Sequence, residues 1–169
     1  GEHIYVGGTA SNAVQSGGNY VHTFLSAVAN SVTSNLGNLP NPVTNVVYTP
    51  STGNMVITSA AHGLTGSNTI SIADNGLSFT CTMDGNTATK TYPRSTDPAS
   101  GANLAITATT TNTFTVNVGA SPIVNHDVTD ATYDPATGVM ELTIGSHSLT
   151  TGTSIKIANG SLTFTCAKN

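Results

Sequence analysis

Charge is what this sequence has least of. Only 7% of its 169 residues are Asp, Glu, Lys or Arg, against about 25% in ordinary globular proteins. Lys90, Arg94, Lys156 and Lys168 are its only strong cations and the net charge is −4. No basic patch can be built from four scattered cations, so phosphate-driven nucleic-acid binding is not expected. No apolar run approaches the roughly 20 residues of a membrane-spanning helix, and no basic-then-apolar leader opens the chain. Tryptophan is absent and Tyr plus Phe number nine. The two cysteines form no CxxC, and no Cys/His group has metal-ligand spacing. Glu2 and Glu141 are the only glutamates, too few to supply the paired carboxylates of a polysaccharide-cleaving enzyme. GxSxG, HExxH and P-loop signatures are missing as well. Neither an enzyme nor a cofactor is therefore expected.

Thr, Ser, Asn and Gly fill the space. Low charge with abundant Ser and Thr also describes a solvated stalk, but short alternating apolar runs argue for pleated structure. "NMVITS" (54–59) and "VMELTI" (139–144) read as strands. In "TISIA" Ile70 and Ile72 share a face, and in "GLSFTC" Leu77, Phe79 and Cys81 share another. The intervening "ADNG" (73–76) predicts a hairpin turn. "LAITATTTNTFTVNV" (104–118) predicts a further strand pair, and "PSTGN" and "PATGV" predict turns. Helical spacing occurs once, in "FLSAVANSV" (24–32).

The chain repeats itself. A shift of 85 residues superposes 43–84 on 128–169 without a gap, with 18 identities in 42 positions. Val43 meets Val128, Tyr48 meets Tyr133, Gly53 meets Gly138, and Met55 meets Met140. His62 meets His147, Ile70 meets Ile155, Leu77 meets Leu162, Phe79 meets Phe164, and Cys81 meets Cys166. More weakly, Thr23-Phe24 aligns with Thr113-Phe114. The phase predicts an all-β chain of tandem small antiparallel Ig-like β-sandwich modules of about 85 residues. Residues 1–42 read as the tail of a preceding repeat and candidate donor strands, 43–127 as a complete repeat, and 128–169 as the first half of another.

The phrases "HGLTGSNTISIADNGLSFTCTMDGN", "YPRSTDP" and "IKIANGSLTFTC" resemble repeats in large structural proteins of tailed marine bacteriophages, notably those infecting cyanobacteria. The resemblance covers most of residues 20–169. It implies a virion-associated, tail-fibre-like protein and transfers no catalytic residue. The same kind of module suits a cellular extracellular fibre.

Candidate sites are few. Cys81 and Cys166 read as small buried hydrophobes, with bridging the alternative. His62 and His147 each follow a strand, where a histidine hydrogen-bonds its own turn or, less often, holds a ligand. Asp84, Asn86 and Asp97 offer oxygen ligands for a hard cation, or else two turns with an Arg94–Asp97 contact. Asn159-Gly160-Ser161 is a glycosylation sequon that equally suits a turn. No metal site is predicted. Unpaired strand edges in an incomplete module are costly to leave in water. The expected function is therefore a structural fibre subunit, extracellular or virion-associated, that polymerises with itself head to tail by strand complementation. Phe24, Leu25, Val28, Val32, Ile155, Ile157, Leu162 and Phe164 are the expected assembly surface. The alternative is a receptor- or glycan-binding module cut from a longer array, with Tyr5, Tyr20 and Tyr92 available to stack on surface glycans.

Overall fold

The computed structural model describes residues 5–18 and 20–166. They form strands and a single 3-10 turn, with no α-helix among them. In chain order the strands are β1 (Tyr5–Gly7), β2 (Ala10–Ser16), β3 (His22–Ala27), β4 (Val32–Ser34), β5 (Gly37–Asn38), β6 (Val43–Thr49), β7 (Asn54–Ser59), β8 (Thr69–Ile72) and β9 (Leu77–Cys81). They continue as β10 (Lys90–Tyr92), β11 (Leu104–Thr109), β12 (Thr113–Asn117), β13 (Val124–Val128), β14 (Asp130–Asp134), β15 (Val139–Thr143), β16 (Ile155–Ile157) and β17 (Phe164–Cys166). All strand pairings are antiparallel. The all-β expectation therefore holds.

The chain divides into two compact units, one of residues 19–121 and one of residues 1–18 with 122–169. This division is not the linear one that the repeat phase suggested. Residues 1–42 are shared out: β1 and β2 join the C-terminal unit, while β3, β4 and β5 join the central one.

In the central unit a seven-stranded sheet runs β5-β4-β8-β11-β12-β7-β6, beside a three-stranded sheet β10-β9-β3. Alternation in the sequence explains the packing. Met55, Ile57 and Ser59 of β7, Ile70 and Ile72 of β8, Leu77, Phe79 and Cys81 of β9, and Phe114 and Val116 of β12 all turn inward and are buried. Phe114, Ile57 and Val116 are fully enclosed. Phe24 meets Phe79 edge-on at 6.0 Å.

Two local expectations change. "ADNG" does not close a hairpin: β8 pairs with β4 and β11, whereas β9 pairs with β3 and β10. Since Ile70, Ile72, Leu77 and Phe79 must all reach one core, the chain crosses from one sheet to the other at this corner. Its backbone groups are satisfied from elsewhere. Ala73 N–H donates to Ser31 O (2.8 Å), Asn75 N–H to Pro93 O (2.8 Å), and Gly76 O accepts from Val28 N–H (2.8 Å). Gly76 has to lack a side chain, because a Cβ there would stand 2.6 Å from Ser31 Cβ. "FLSAVANSV" is strand, turn, strand, with Asn30 in the left-handed region (φ 58°). Pairing with β9 and β8 overrides its helical spacing.

The other unit has two sheets, β15-β14-β1-β17 and β13-β2-β16. Its buried apolar residues are Ala13, Val14, Val128 and Ala131, with Leu142, Ile144, Leu162 and Phe164 packed against them.

Candidate assembly site

The two units are built on one plan, visible in their registers. In the central unit His22 lies opposite Cys81 and Phe24 opposite Phe79. In the other, Tyr5 lies opposite Cys166 and Gly7 opposite Phe164. Val32 faces Ile72 and Ser34 faces Ile70, just as Val14 faces Ile157 and Ser16 faces Ile155. The bond from Ala73 N–H to Ser31 O (2.8 Å) has its twin from Ala158 N–H to Ala13 O (2.8 Å). Asn12 (φ 51°) repeats the left-handed Asn30. So β1–β2 serves residues 122–166 as β3–β4 serves residues 43–81. Sequence reasoning missed this second duplication. Its trace is "SNAVQS" (11–16) against "ANSVTS" (29–34), with only Asn, Val and Ser in common.

The leading pair is seated by close backbone approach. A Cβ on Gly7 would come within 3.0 Å of Ala131 Cβ and 3.1 Å of Phe164 Cε1. This lets β1 hydrogen-bond β14 on one side and β17 on the other. Along β2, Asn12 N–H donates to Asp127 Oδ1 (2.7 Å), and Ser16 Oγ lies 3.2 Å from His126 Nε2. Gly17 (φ 64°) and Gly18 (φ 139°) follow, in conformations that side-chain-bearing residues rarely adopt.

The plan is not filled equally. Among the described residues, the C-terminal unit has no counterpart of β10, β11 or β12. Strand β7 carries β12 on its outer edge, β8 carries β11, and β9 carries β10. The equivalent edges of β15, β16 and β17 end their sheets. Burial follows. Met55 is 2% exposed and Met140 39%; Ile70 is 1% exposed and Ile155 45%; Ile72 is 2% exposed and Ile157 37%.

His62 and His147 report the same difference. Each accepts its own turn's N–H at Nδ1, from Leu64 (2.9 Å) and from Leu149 (3.2 Å), as expected for a histidine after a strand. His62 is buried, with Nε2–H reaching Thr110 O (2.8 Å) and Thr113 O (2.9 Å) and its ring edge-on to Phe114 at 5.2 Å. His147 is exposed, and no Nε2 partner stands beside it among the described residues.

The remaining candidates separate. Of the expected assembly residues, Phe24, Leu25, Val28 and Val32 belong to the central unit. Val32 is buried, Phe24 half-buried, Leu25 and Val28 exposed. Ile155, Ile157, Leu162 and Phe164 belong to the C-terminal unit, the isoleucines exposed and the other two half-buried. Cys81 is buried on β9 and Cys166 half-buried on β17. Arg94 and Asp97 form the anticipated contact, Nη2 to Oδ1 at 3.0 Å and Nε to Oδ2 at 3.2 Å. Asp84 instead meets Lys90, whose ammonium holds the carboxyl below its ordinary pKa. The two acids thus serve different cations, and no three potential metal ligands converge among the described residues. Asn159 is exposed in a turn whose Ser161 Oγ donates to Ala158 O (2.7 Å). Tyr20 and Tyr92 are half-buried, and the side chain of Tyr5 lies outside the described residues. No helix among the described residues is long and apolar enough to cross a membrane. No protein-family model, curated protein or solved structure matches the chain.

Proposed function

We propose that the protein is a structural, non-enzymatic subunit of an extracellular or virion-associated fibre, its subunits joined head to tail by exchange of the strand pair β1–β2. The two units are read as members of a tandem array of Ig-like β-sandwich repeats about 85 residues long. One observation carries this reading. The strands that complete the 122–166 body come from the far end of the chain, behind two glycines. The same pairings formed with the body of the next copy lose no hydrogen bond and leave each copy with one donor and one acceptor. A contact of that kind is heterologous and propagates. Low charge removes the repulsion that keeps many soluble chains apart.

Negative-stain electron microscopy of the purified chain tests the proposal, next to a variant lacking residues 1–18. Filaments from the full chain, absent from the truncated one and capped by added peptide 1–18, are expected. Discrete particles of single-chain mass at every concentration would sink the reading.

A further inference from the structure

Asn-Gly occurs twice in the chain, as Asn75-Gly76 and as Asn159-Gly160. Each pair lies in the corner after β8 or its counterpart β16. The 85-residue repeat sets the pairs one place apart, because Asn159 takes the position of Asp74 and Gly160 that of Asn75. In the first corner Gly76 supplies the amide that closes the turn. It is buried and its N–H donates to Ala73 O (2.9 Å), while Asn75 Oδ1 accepts from Thr91 Oγ1 (2.8 Å). In the second corner Ser161 supplies the closing amide, donating to Ala158 O (3.2 Å), and Gly160 stands in mid-turn. Asn159 and Gly160 are both exposed. Gly160 is left-handed (φ 67°), and nothing lies within 4 Å of where its Cβ would be. The Asn159 side chain makes no hydrogen bond among the described residues. That freedom belongs to the turn itself: Asp74, at the same place in the central unit, is also exposed and makes no side-chain hydrogen bond.

We propose that Asn159 is a site of spontaneous deamidation, with Gly160 N as nucleophile and water as co-reactant, and that the fold protects Asn75 from the same reaction. Gly160 N attacks Asn159 Cγ and gives up its proton. The Cγ–Nδ2 bond breaks, and Nδ2 leaves as ammonia carrying that proton. Water then opens the succinimide ring. Attack at Cγ leaves aspartate on an unchanged backbone; attack at the main-chain carbonyl of residue 159 leaves isoaspartate, with the backbone routed through Cγ. Glycine favours ring closure because no Cβ obstructs the approach of its nitrogen. At Asn75 both reacting groups are held, the amide nitrogen by Ala73 O and the side chain by Thr91, so that corner has to open first. The products differ in effect. Aspartate gives the second corner the acid that the central unit carries as Asp74. Isoaspartate adds one backbone atom to the turn whose Ala158 N–H holds Ala13 O of β2 (2.8 Å), and so loosens the seat of that strand. The reaction is a one-way clock in this corner. It needs no neighbouring copy and stands whether or not subunits exchange β1–β2.

The test is peptide mass mapping of the full chain aged in mildly alkaline buffer, with aspartyl and isoaspartyl products separated by chromatography. The peptide holding Asn159 is expected to gain one mass unit about tenfold faster or more than the peptide holding Asn75, which reacts only through its open fraction. In urea, with both corners unfolded, the two rates should converge. Gly160→Ala should slow the reaction at Asn159 about tenfold, which corresponds to about 1.4 kcal/mol of barrier. Purified isoaspartyl chain should exchange the amides of Ala10–Ser16 faster than fresh chain. Asn159 left intact in the folded chain, under conditions that convert both sites in urea, overturns the proposal. Equal rates at Asn75 and Asn159 in the folded chain overturn the protection, and unchanged exchange along β2 overturns the clock. The comparison of folded with urea-treated native chain decides the matter independently of the alanine variant.

Discussion

His62 and His147 sit at one position of a repeated phrase, yet only one of them is buried. The ring is a connector, and its value depends on whether the hairpin turn at 110–113 lies above it. His62→Ala leaves Thr110 O, Thr113 O and Leu64 N–H without this partner, which should lower the stability of the central unit by about 1–3 kcal/mol. His147→Ala should change stability by less than about 0.5 kcal/mol, as for an ordinary surface substitution. Urea unfolding of both variants reads the contrast. His22 and Tyr92 make the same unit sensitive to pH, and burial raises the pKa of Tyr48 in the same direction as Tyr92. Burial lowers the pKa of His22, with the nearby Lys90 charge adding to it and a backbone hydrogen bond at Tyr20 opposing. Its stabilising contribution is therefore present above the ordinary histidine range and is lost as pH falls through it. Burial, assisted by the Asp97 charge, raises the pKa of Tyr92. Its contribution is present below about pH 10 and is lost as pH rises beyond that. The melting temperature of the central unit should fall on both sides. His22→Phe should flatten the acid limb and Tyr92→Phe the alkaline one, and melts from pH 4 to pH 11 with each variant would show whether these two groups are responsible.

At the scale of elements, Gly53 and Gly138 make the same hairpin corner. Gly53 N–H donates to Thr49 O and Gly138 N–H to Asp134 O, both at 2.8 Å. Both are left-handed, at φ 81° and 74°. Only Gly53 is also crowded. A Cβ there would lie 2.4 Å from the Gly119 carbonyl carbon, while nothing approaches within 4 Å at Gly138. Gly138→Ala should cost only the backbone strain, about 1–2 kcal/mol. Gly53→Ala should cost clearly more, because the chain leaving β12 has to move; thermal melts of the two variants compare them. These corners, the strands beside them and the shared faces of Ile70 with Ile72 and of Leu77 with Phe79 and Cys81 were legible, because alternation and turn chemistry are local. The 85-residue repeat was legible because its copies kept their phase. The path of "ADNG" was not: a turn signal says that the chain bends, and only the second sheet decides whether the flanking strands pair or part. The seat of residues 5–16 was hidden for a related reason. Its likeness to 23–34 amounts to a few matched residues, and strand pairing over a hundred residues away leaves almost no mark on sequence.

For the molecule as a whole, the proposed fibre sets closure of β1–β2 on its own chain against exchange with a neighbour. The hydrogen bonds and the buried Ala13 and Val14 are common to both states, so burial and pairing cancel from the difference. What remains is the strain of the linker against the effective concentration of the tethered segment. Gly17 and Gly18 hold the closed state in left-handed conformations. Alanine at both positions adds strain to that closed linker, about 1–2 kcal/mol for each, and leaves the docking surfaces of β1 and β2 intact. If exchange relaxes the linker toward extended backbone, the double variant should polymerise at a protein concentration lower by about thirtyfold or more, since the two positions together add about 2–4 kcal/mol and 1.4 kcal/mol is a factor of ten. Gly7→Val, which pushes β1 away from Ala131 and Phe164, should weaken closure and exchange together and suppress assembly. Light scattering across a dilution series of the three chains reads both effects at once. A higher threshold for the glycine variant would mean that the left-handed linker belongs to the polymer, and that these two glycines promote exchange rather than restrain it.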